Sequence, residues 1–146
     1  MKKTNIVHGV EQTAKLAKEF AEMMKGGEVI LLDGEMGAGK TTFAREFCRA
    51  LKIEDDVVSP TFTIMREYDG KFKVYHFDMY RLGSGQEACE FGLDEYIYNN
   101  KPNAIVLIEW AENVMDILNG LFYHVKIERI DDVTRKITID KVNIGG

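Results

Sequence analysis

The sequence contains little cysteine or proline and no excess of positive charge. Its 146 residues include 2 Cys and 2 Pro, and 19 Lys and Arg stand against 24 Asp and Glu, a net charge of −5. So few cysteines exclude a small scaffold held by disulfides, and so little proline excludes a proline-rich disordered chain. Proteins that bind a nucleic-acid backbone with their own surface usually carry a basic excess. We therefore expect any contact with nucleic acid to be made by a partner.

Long hydrophobic runs are missing as well. The longest, residues 104–108, is far shorter than the ~20 residues that a transmembrane helix needs. Polar residues follow Lys2 and Lys3, where a signal peptide would have its apolar core. Cys48 and Cys89 lack metal-ligand spacing and suit a reducing compartment. We predict a cytoplasmic protein without a membrane segment.

Apolar residues in the first third of the chain follow helix and strand patterns in alternation. They recur at helical spacing over residues 16–24 and again over 43–51. Residues 29–32 between them are continuously apolar, as in a strand that helices cover on both faces of a parallel sheet. The same reasoning predicts two later strands, over 72–77 and 104–108, and a helix over 87–98 that breaks near Gly92.

The C-terminal part follows a different pattern. Apolar and polar residues alternate over 123–128 and again over 136–140, with Asp131 and Asp132 between the two runs. This pattern predicts an antiparallel hairpin with one face in solvent. No linker-like composition divides the chain, so we predict a single domain over residues 1–146. Its fold class is a three-layer α/β domain with a mixed central sheet.

Residues 34–41 fit the phosphate-binding pattern of Gly, four residues, Gly, Lys and Ser or Thr. They follow a predicted buried strand and open a predicted helix, the setting that the pattern requires. Glycines let successive backbone N–H groups turn toward an anion, and the helix adds the positive end of its dipole. We therefore predict a P-loop NTPase-like fold. The residues predicted to bind nucleotide are Met36, Gly37, Ala38, Gly39, Lys40, Thr41 and Thr42.

The chemistry of this site needs a cation, a metal and an acid. Lys40 can reach the β- and γ-phosphates, and the Thr41 hydroxyl can bind Mg²⁺. Asp78 and Glu109 each follow a strand whose carboxyl end would face the phosphates. The strand before Glu109 is the more apolar one, so we predict Glu109 and Thr41 as metal ligands, Glu109 directly or through water. Asp78 is expected to orient the attacking water or the water around the metal, which makes Lys40, Asp78 and Glu109 the predicted catalytic residues.

Other polar and aromatic residues have two interpretations each. In residues 58–63, Pro60 holds Ser59 extended and two threonines follow, so this loop could present oxygens to the metal or γ-phosphate. Without further context, the segment more simply begins an edge strand. His76 is interpreted as an ordinary core or surface histidine rather than a ligand. Trp110, beside Glu109, could stack at the site, but it is interpreted as a packing residue.

Four motifs occur together: GEMGAGKTT over 34–42, VSPTFTI over 58–64, YHFDMYRL over 75–82 and LIEWAE over 107–112. In this order and spacing, the sequence resembles the TsaE (YjeE) family, the small bacterial ATPases of tRNA threonylcarbamoyladenosine formation. EFGLDEY over 90–96 is similar to the family too. The motifs extend over about the first three quarters of the chain.

The resemblance implies an α/β nucleotide-binding fold, binding of ATP and Mg²⁺, and slow ATP hydrolysis by the protein alone. It also implies two partners, TsaB and TsaD, of which TsaD transfers the threonylcarbamoyl group to tRNA. Contact with tRNA would then be indirect. The family's positions fall here on Lys40, Thr41 and Thr42 for phosphate and metal, Asp78 and Glu109 for the acids, Trp110 for a tryptophan, and residues 59–63 for a switch-like loop.

The resemblance leaves some positions unassigned. Ile64 stands where leucine is common, and no motif after Asn113 aligns with the family. Candidates for the adenine-contacting residues lie near residues 9–13 and at Thr134 and Arg135.

Three alternatives to an ATP hydrolase remain open: a kinase, a GTPase-like binding module and a protein that binds nucleotide without catalysis. A small kinase would need an acceptor pocket and usually an arginine-rich lid, whereas the arginines after Thr41 are scattered. Residues 100–103 are similar to the guanine-reading sequence Asn-Lys-x-Asp of GTPases, but Asn103 replaces the aspartate that would accept from guanine, which favours adenine. In the third alternative, the nucleotide only sets the conformation for partner docking.

Overall fold

The computed structural model describes residues 2–35, 37–58, 60, 64–99 and 102–145. This part of the chain forms a mixture of strands and helices. The elements are β1 (Lys3–His8), α1 (Gly9–Glu22), β2 (Val29–Asp33), α2 (Lys40–Ala50), β3 (Met65–Tyr68), β4 (Lys73–Asp78), α3 (Gly85–Glu90), α4 (Leu93–Tyr98), β5 (Ala104–Glu109), a 3₁₀ segment (Ala111–Ile117), β6 (Gly120–Arg129) and β7 (Thr134–Ile144).

All of these strands belong to one mixed sheet, in the order β1-β7-β6-β2-β5-β4-β3. The central pairs β6–β2, β2–β5 and β5–β4 are parallel. The outer pairs β1–β7, β7–β6 and β4–β3 are antiparallel. The predicted mixed sheet and C-terminal hairpin are therefore confirmed.

Helices cover both faces of the central strands. Ile30 and Leu32 of β2 pack with α1 and α2, whereas Val29 and Leu31 pack with α3, α4 and the 3₁₀ segment. This division explains why β2 is apolar at every position, as expected for a strand buried on both faces. The predicted three-layer α/β architecture is confirmed, and it is a P-loop NTPase-like fold.

The edge strand β1 was absent from the predictions, and β3 was expected only as the edge strand that residues 58–63 begin, without bounds. Most of their side chains are exposed or half-buried, so neither strand has a clear apolar alternation. The predicted break at Gly92 is confirmed, since this residue separates α3 from α4 with a φ of 84°. In the described part of the chain, no helix has the length and apolar character needed to cross a membrane.

Candidate functional site

A tight glycine loop joins β2 to α2. Gly37 and Gly39 have φ angles of 82° and 112°, in the left-handed region that favours glycine. At Gly34 the neighbouring chain leaves no room, because a Cβ there would lie 2.7 Å from the carbonyl oxygen of Ile127. The glycines of the motif are thus required by backbone conformation or by close approach. Met36, another predicted ligand, lies outside the described residues.

The first turn of α2 follows the glycine loop directly. Gly39 is its N-cap residue and has no side chain to cap it, and the first backbone N–H groups of a helix have no intrahelical acceptor. Lys40 begins the helix and is mostly buried, while Thr41 and Thr42 are half-buried beside it. An uncapped N-terminus of this kind binds phosphate well, because its N–H groups and dipole both favour negative charge.

Lys40 extends toward the end of β5. Its ammonium lies over the ring of Trp110, 4.2 Å from the centroid, a favourable cation–π geometry. The ring of Tyr80 packs on Trp110 with the centroids 4.8 Å apart. Trp110 therefore lies at the site, and its interpretation as a packing residue misses the contact with Lys40. Tyr80 was not predicted at all.

The two predicted acids are neighbours on adjacent parallel strands. Asp78 ends β4, Glu109 ends β5, and the two are register partners. Each residue is only 2% exposed. Asp78 accepts a hydrogen bond from the backbone N–H of Tyr80 at 2.9 Å. The prediction that both acids lie at the same carboxyl edge of the sheet is correct.

His76 extends this buried polar group. Its Nε2 lies 2.6 Å from Oε2 of Glu109, and both side chains are almost completely buried. His76 is therefore in the core and not at the surface, but it contacts an acid of the site. The contact with Glu109 could not be read from the sequence.

A cavity of about 190 Å³ lies between the glycine loop, the start of α1 and strand β7. Its polar and small lining residues include Thr13, Thr42 and Arg135. Arg135 donates from Nε to the carbonyl oxygen of Ala38 at 2.8 Å, which connects β7 to the loop. The candidate adenine segments around residues 9–13 and 134–135 therefore meet at this cavity.

The turn between β6 and β7 shapes one wall of the cavity. The backbone N–H of Val133 donates to Asp131 at 2.9 Å, and this bond is the main reason that the pKa of Asp131 is lowered from its usual range. The carbonyl oxygen of Val133 accepts from the backbone N–H of Gly9 at 2.7 Å. The start of α1 and the turn are thus joined directly.

The predicted switch-like loop, residues 59–63, is described only at Pro60. The Pro60 carbonyl oxygen accepts from the N–H of Ile64 at 2.6 Å, and the Ile64 carbonyl oxygen accepts from the N–H of Asp78 at 2.8 Å. The chain thus lies next to an acid of the site at Ile64, just before it enters β3. Residues 59 and 61–63 of this segment lie outside the described residues. Asn100 and Lys101, of the guanine-like sequence, lie outside the described residues.

The oxygen donors at the site fit Mg²⁺. Thr41, Asp78 and Glu109 offer hydroxyl and carboxylate oxygens, the ligands that Mg²⁺ prefers. Within the described ranges, no group of three or more His, Cys, Asp and Glu side chains could hold a metal by itself. Mg²⁺ at nucleotide sites uses one or two protein ligands together with phosphates and water. The site therefore fits a metal that arrives with a nucleotide.

Three comparisons relate the chain to known proteins. Residues 7–137 match the family described as "Threonylcarbamoyl adenosine biosynthesis protein TsaE". The chain is 41% identical over 133 residues to the tRNA threonylcarbamoyladenosine biosynthesis protein TsaE of Bacillus subtilis, covering 90% of this chain and 81% of that protein. It is 39% identical over 139 residues to the protein of the same name from Aquifex aeolicus, covering 92% of each. The crystal structure of Bacillus subtilis YdiB is similar with a TM-score of 0.81 at 34% identity, covering 99% of this chain and 87% of that one.

Proposed function

The chain belongs to the TsaE family, and from that membership we propose that it is the Mg²⁺-dependent, ATP-hydrolysing subunit of tRNA threonylcarbamoyladenosine biosynthesis. The family places the chain in that biosynthesis, and the ATPase activity is our proposal. One observation carries it: after a glycine loop, the N-terminus of α2 presents Lys40 over Trp110, the residue that follows Glu109 of the buried acid pair.

Binding of the triphosphate uses groups that are already in place. The N–H groups of the loop and of the first turn of α2 would hold the β- and γ-phosphates. Lys40 would contact the same phosphates. Its ammonium lies over the ring of Trp110, which follows Glu109 at the end of β5. Because Lys40 and both acids are buried, few water molecules compete with these contacts.

Thr41 and Glu109 would hold the metal, Glu109 directly or through water. When bound, Mg²⁺ neutralises charge on the β- and γ-phosphates. Asp78 would orient a water molecule for attack on the γ-phosphorus. The water oxygen would form a bond to that phosphorus as its bond to the β–γ bridging oxygen breaks. The electron pair of the broken bond stays on ADP, and the attacking water gives up a proton, so that the products are ADP and inorganic phosphate. Positioning and charge stabilisation supply most of the catalysis in phosphoryl transfer.

The cavity beside the loop is the proposed adenine site. It adjoins Ala38 and Gly39 of the loop, and its walls come from α1 and β7. Asn103 of the guanine-like sequence immediately precedes β5 and lines a different cavity with Lys73 and Ala104, so it does not bear on the base bound here.

TsaB-like and TsaD-like proteins are the proposed partners, with tRNA reached only through them. A chain of net charge −5 is a poor ligand for an RNA backbone. A cytoplasmic location agrees with the two free cysteines, Cys48 and Cys89. The membrane has no part in this proposal.

Phosphate release with and without the two partner proteins tests the proposal. We expect slow hydrolysis of ATP by the chain alone and strong stimulation by the pair. The assay is repeated with GTP as competitor, and we expect ATP to be preferred. Failure of the chain to bind or hydrolyse ATP even with both partners would contradict the proposal. A phosphorylated small molecule in place of free phosphate would favour the kinase alternative.

A further inference from the structure

One buried side chain at the site has no part in the proposed function so far. His76 lies on β4, two residues before Asp78, and has no exposed surface. Its neighbours Val74 and Leu107 are buried apolar residues of the core. An imidazole in such a place costs free energy unless its nitrogens are hydrogen-bonded. The position therefore calls for an explanation other than packing.

The ring has a single polar partner among the described residues. Nε2 lies 2.6 Å from Oε2 of Glu109, whereas Nδ1 is buried with no hydrogen-bond partner in the same part of the chain. The proton position is assigned from this network. With the proton on Nε2, the ring donates to Glu109 and Nδ1 is left as an acceptor, which is less costly than a buried N–H without a partner. Among the described residues, Glu109 is thus the one hydrogen-bond partner of the His76 side chain.

We propose that His76 is a positioning residue for the Glu109 carboxylate. By occupying Oε2, the imidazole holds the carboxylate in one orientation and leaves Oε1 for the metal or for a water molecule bound to it. Partners that hydrogen-bond a metal-ligating carboxylate orient it, and removing them typically weakens metal affinity or activity by roughly 10- to 100-fold. This inference rests on the proposed function, because it takes Glu109 as a metal ligand.

The test compares two substitutions of His76 with one control. His76→Phe keeps a ring but removes the donor, whereas His76→Gln keeps an N–H that can reach Glu109. Val74→Ala shortens a fully buried side chain of the same strand and leaves the His76–Glu109 pair intact. For each full-length variant, calorimetry gives the affinity for a non-hydrolysable ATP analogue without metal, and then the affinity of that complex for Mg²⁺.

We expect His76→Phe to weaken Mg²⁺ affinity by about tenfold or more, while metal-free binding of the analogue changes by less than about threefold. His76→Gln should recover most of the loss, and Val74→Ala should lower the melting temperature without changing Mg²⁺ affinity. A role in stability alone would not produce this pattern.

The outcomes that would overturn the inference alone are distinguishable from failure of the proposed function. A folded His76→Phe variant with wild-type Mg²⁺ affinity would overturn the inference alone, as would a Val74→Ala variant that loses Mg²⁺ affinity equally. A wild-type chain that binds no nucleotide would overturn the proposed function and this inference together. Should His76→Phe fail to fold, ¹⁵N NMR of the wild-type protein decides: a proton on Nε2 supports the inference, and a proton on Nδ1 overturns it.

Discussion

The two ends of strands β4 and β5 hold charged side chains in opposite surroundings. At the amino end, Lys73 lies 3.6 Å from carboxylate oxygens of both Glu67 and Asp69, and these groups are open to solvent. At the carboxyl end, Asp78 and Glu109 are buried. Exposed ion pairs contribute little to stability, whereas buried charges are costly to desolvate. The carboxyl end thus keeps two acids in surroundings that are costly for charge, and we attribute this to the proposed nucleotide site.

The largest effect should come from removing the cation at the buried end. We expect Lys40→Ala to lower ATP hydrolysis by about 100-fold or more, because it removes a charge that stabilises the transferring phosphoryl group. Nucleotide affinity should fall as well. Lys73→Ala is the matched control, since the same change is made at the exposed end of the same sheet. Equal activity in the two variants, measured by phosphate release, would mean that the buried end has no special role.

A smaller and more selective effect is expected from Glu109→Gln. The amide keeps an oxygen that can accept from His76, so the fold should persist, but it is a poorer metal ligand than a carboxylate. We expect kcat to fall by roughly 100-fold while affinity for the nucleotide changes by less than about fivefold. Glu67→Gln, at the exposed end, is the control. Parallel loss of binding and hydrolysis in Glu109→Gln would argue against a catalytic role of the metal at this residue.

The smallest effect should come from the exposed ion pairs. Asp69 and then Glu67 raise the pKa of Lys73 above its ordinary 10.5, so any stability they provide is fully present below pH 10.5 and is lost as the pH rises past the raised value. We expect Lys73→Ala to change the melting temperature by less than about 2 °C at neutral pH, and by less still in high salt. A large shift in a thermal melt would show that the amino end is more important for stability than its exposure indicates.

Local sequence was sufficient to predict the glycine loop and the central strands and helices. Gly34 is required by a close approach of the chain, and Gly37 and Gly39 by their positive φ angles, so a short sequence motif is enough to identify this loop. Strand β2 is recognisable because both of its faces are buried and its positions 29–32 are therefore apolar. The proximity of Asp78 and Glu109 was also predictable, since parallel strands end at one edge.

The missed contacts join residues far apart in the chain. Arg135 meets Ala38 across 97 positions and His76 meets Glu109 across 33. Each contact depends on the order and register of strands, which local periodicity does not fix. The edge strand β1 was missed, and the bounds of β3 were not given, for a different reason: half-exposed strands need no apolar pattern.

The pairing of β1 with β7 has a consequence for synthesis on the ribosome. The first strand of the chain is hydrogen-bonded along its length to the last, and in the described sheet it lies at an edge with β7 as its neighbour. During translation β1 must therefore remain unpaired until β7, Thr134–Ile144, has emerged. The start of α1 and the β6–β7 turn can meet only then, so the cavity wall that they share is among the last parts of the protein to form.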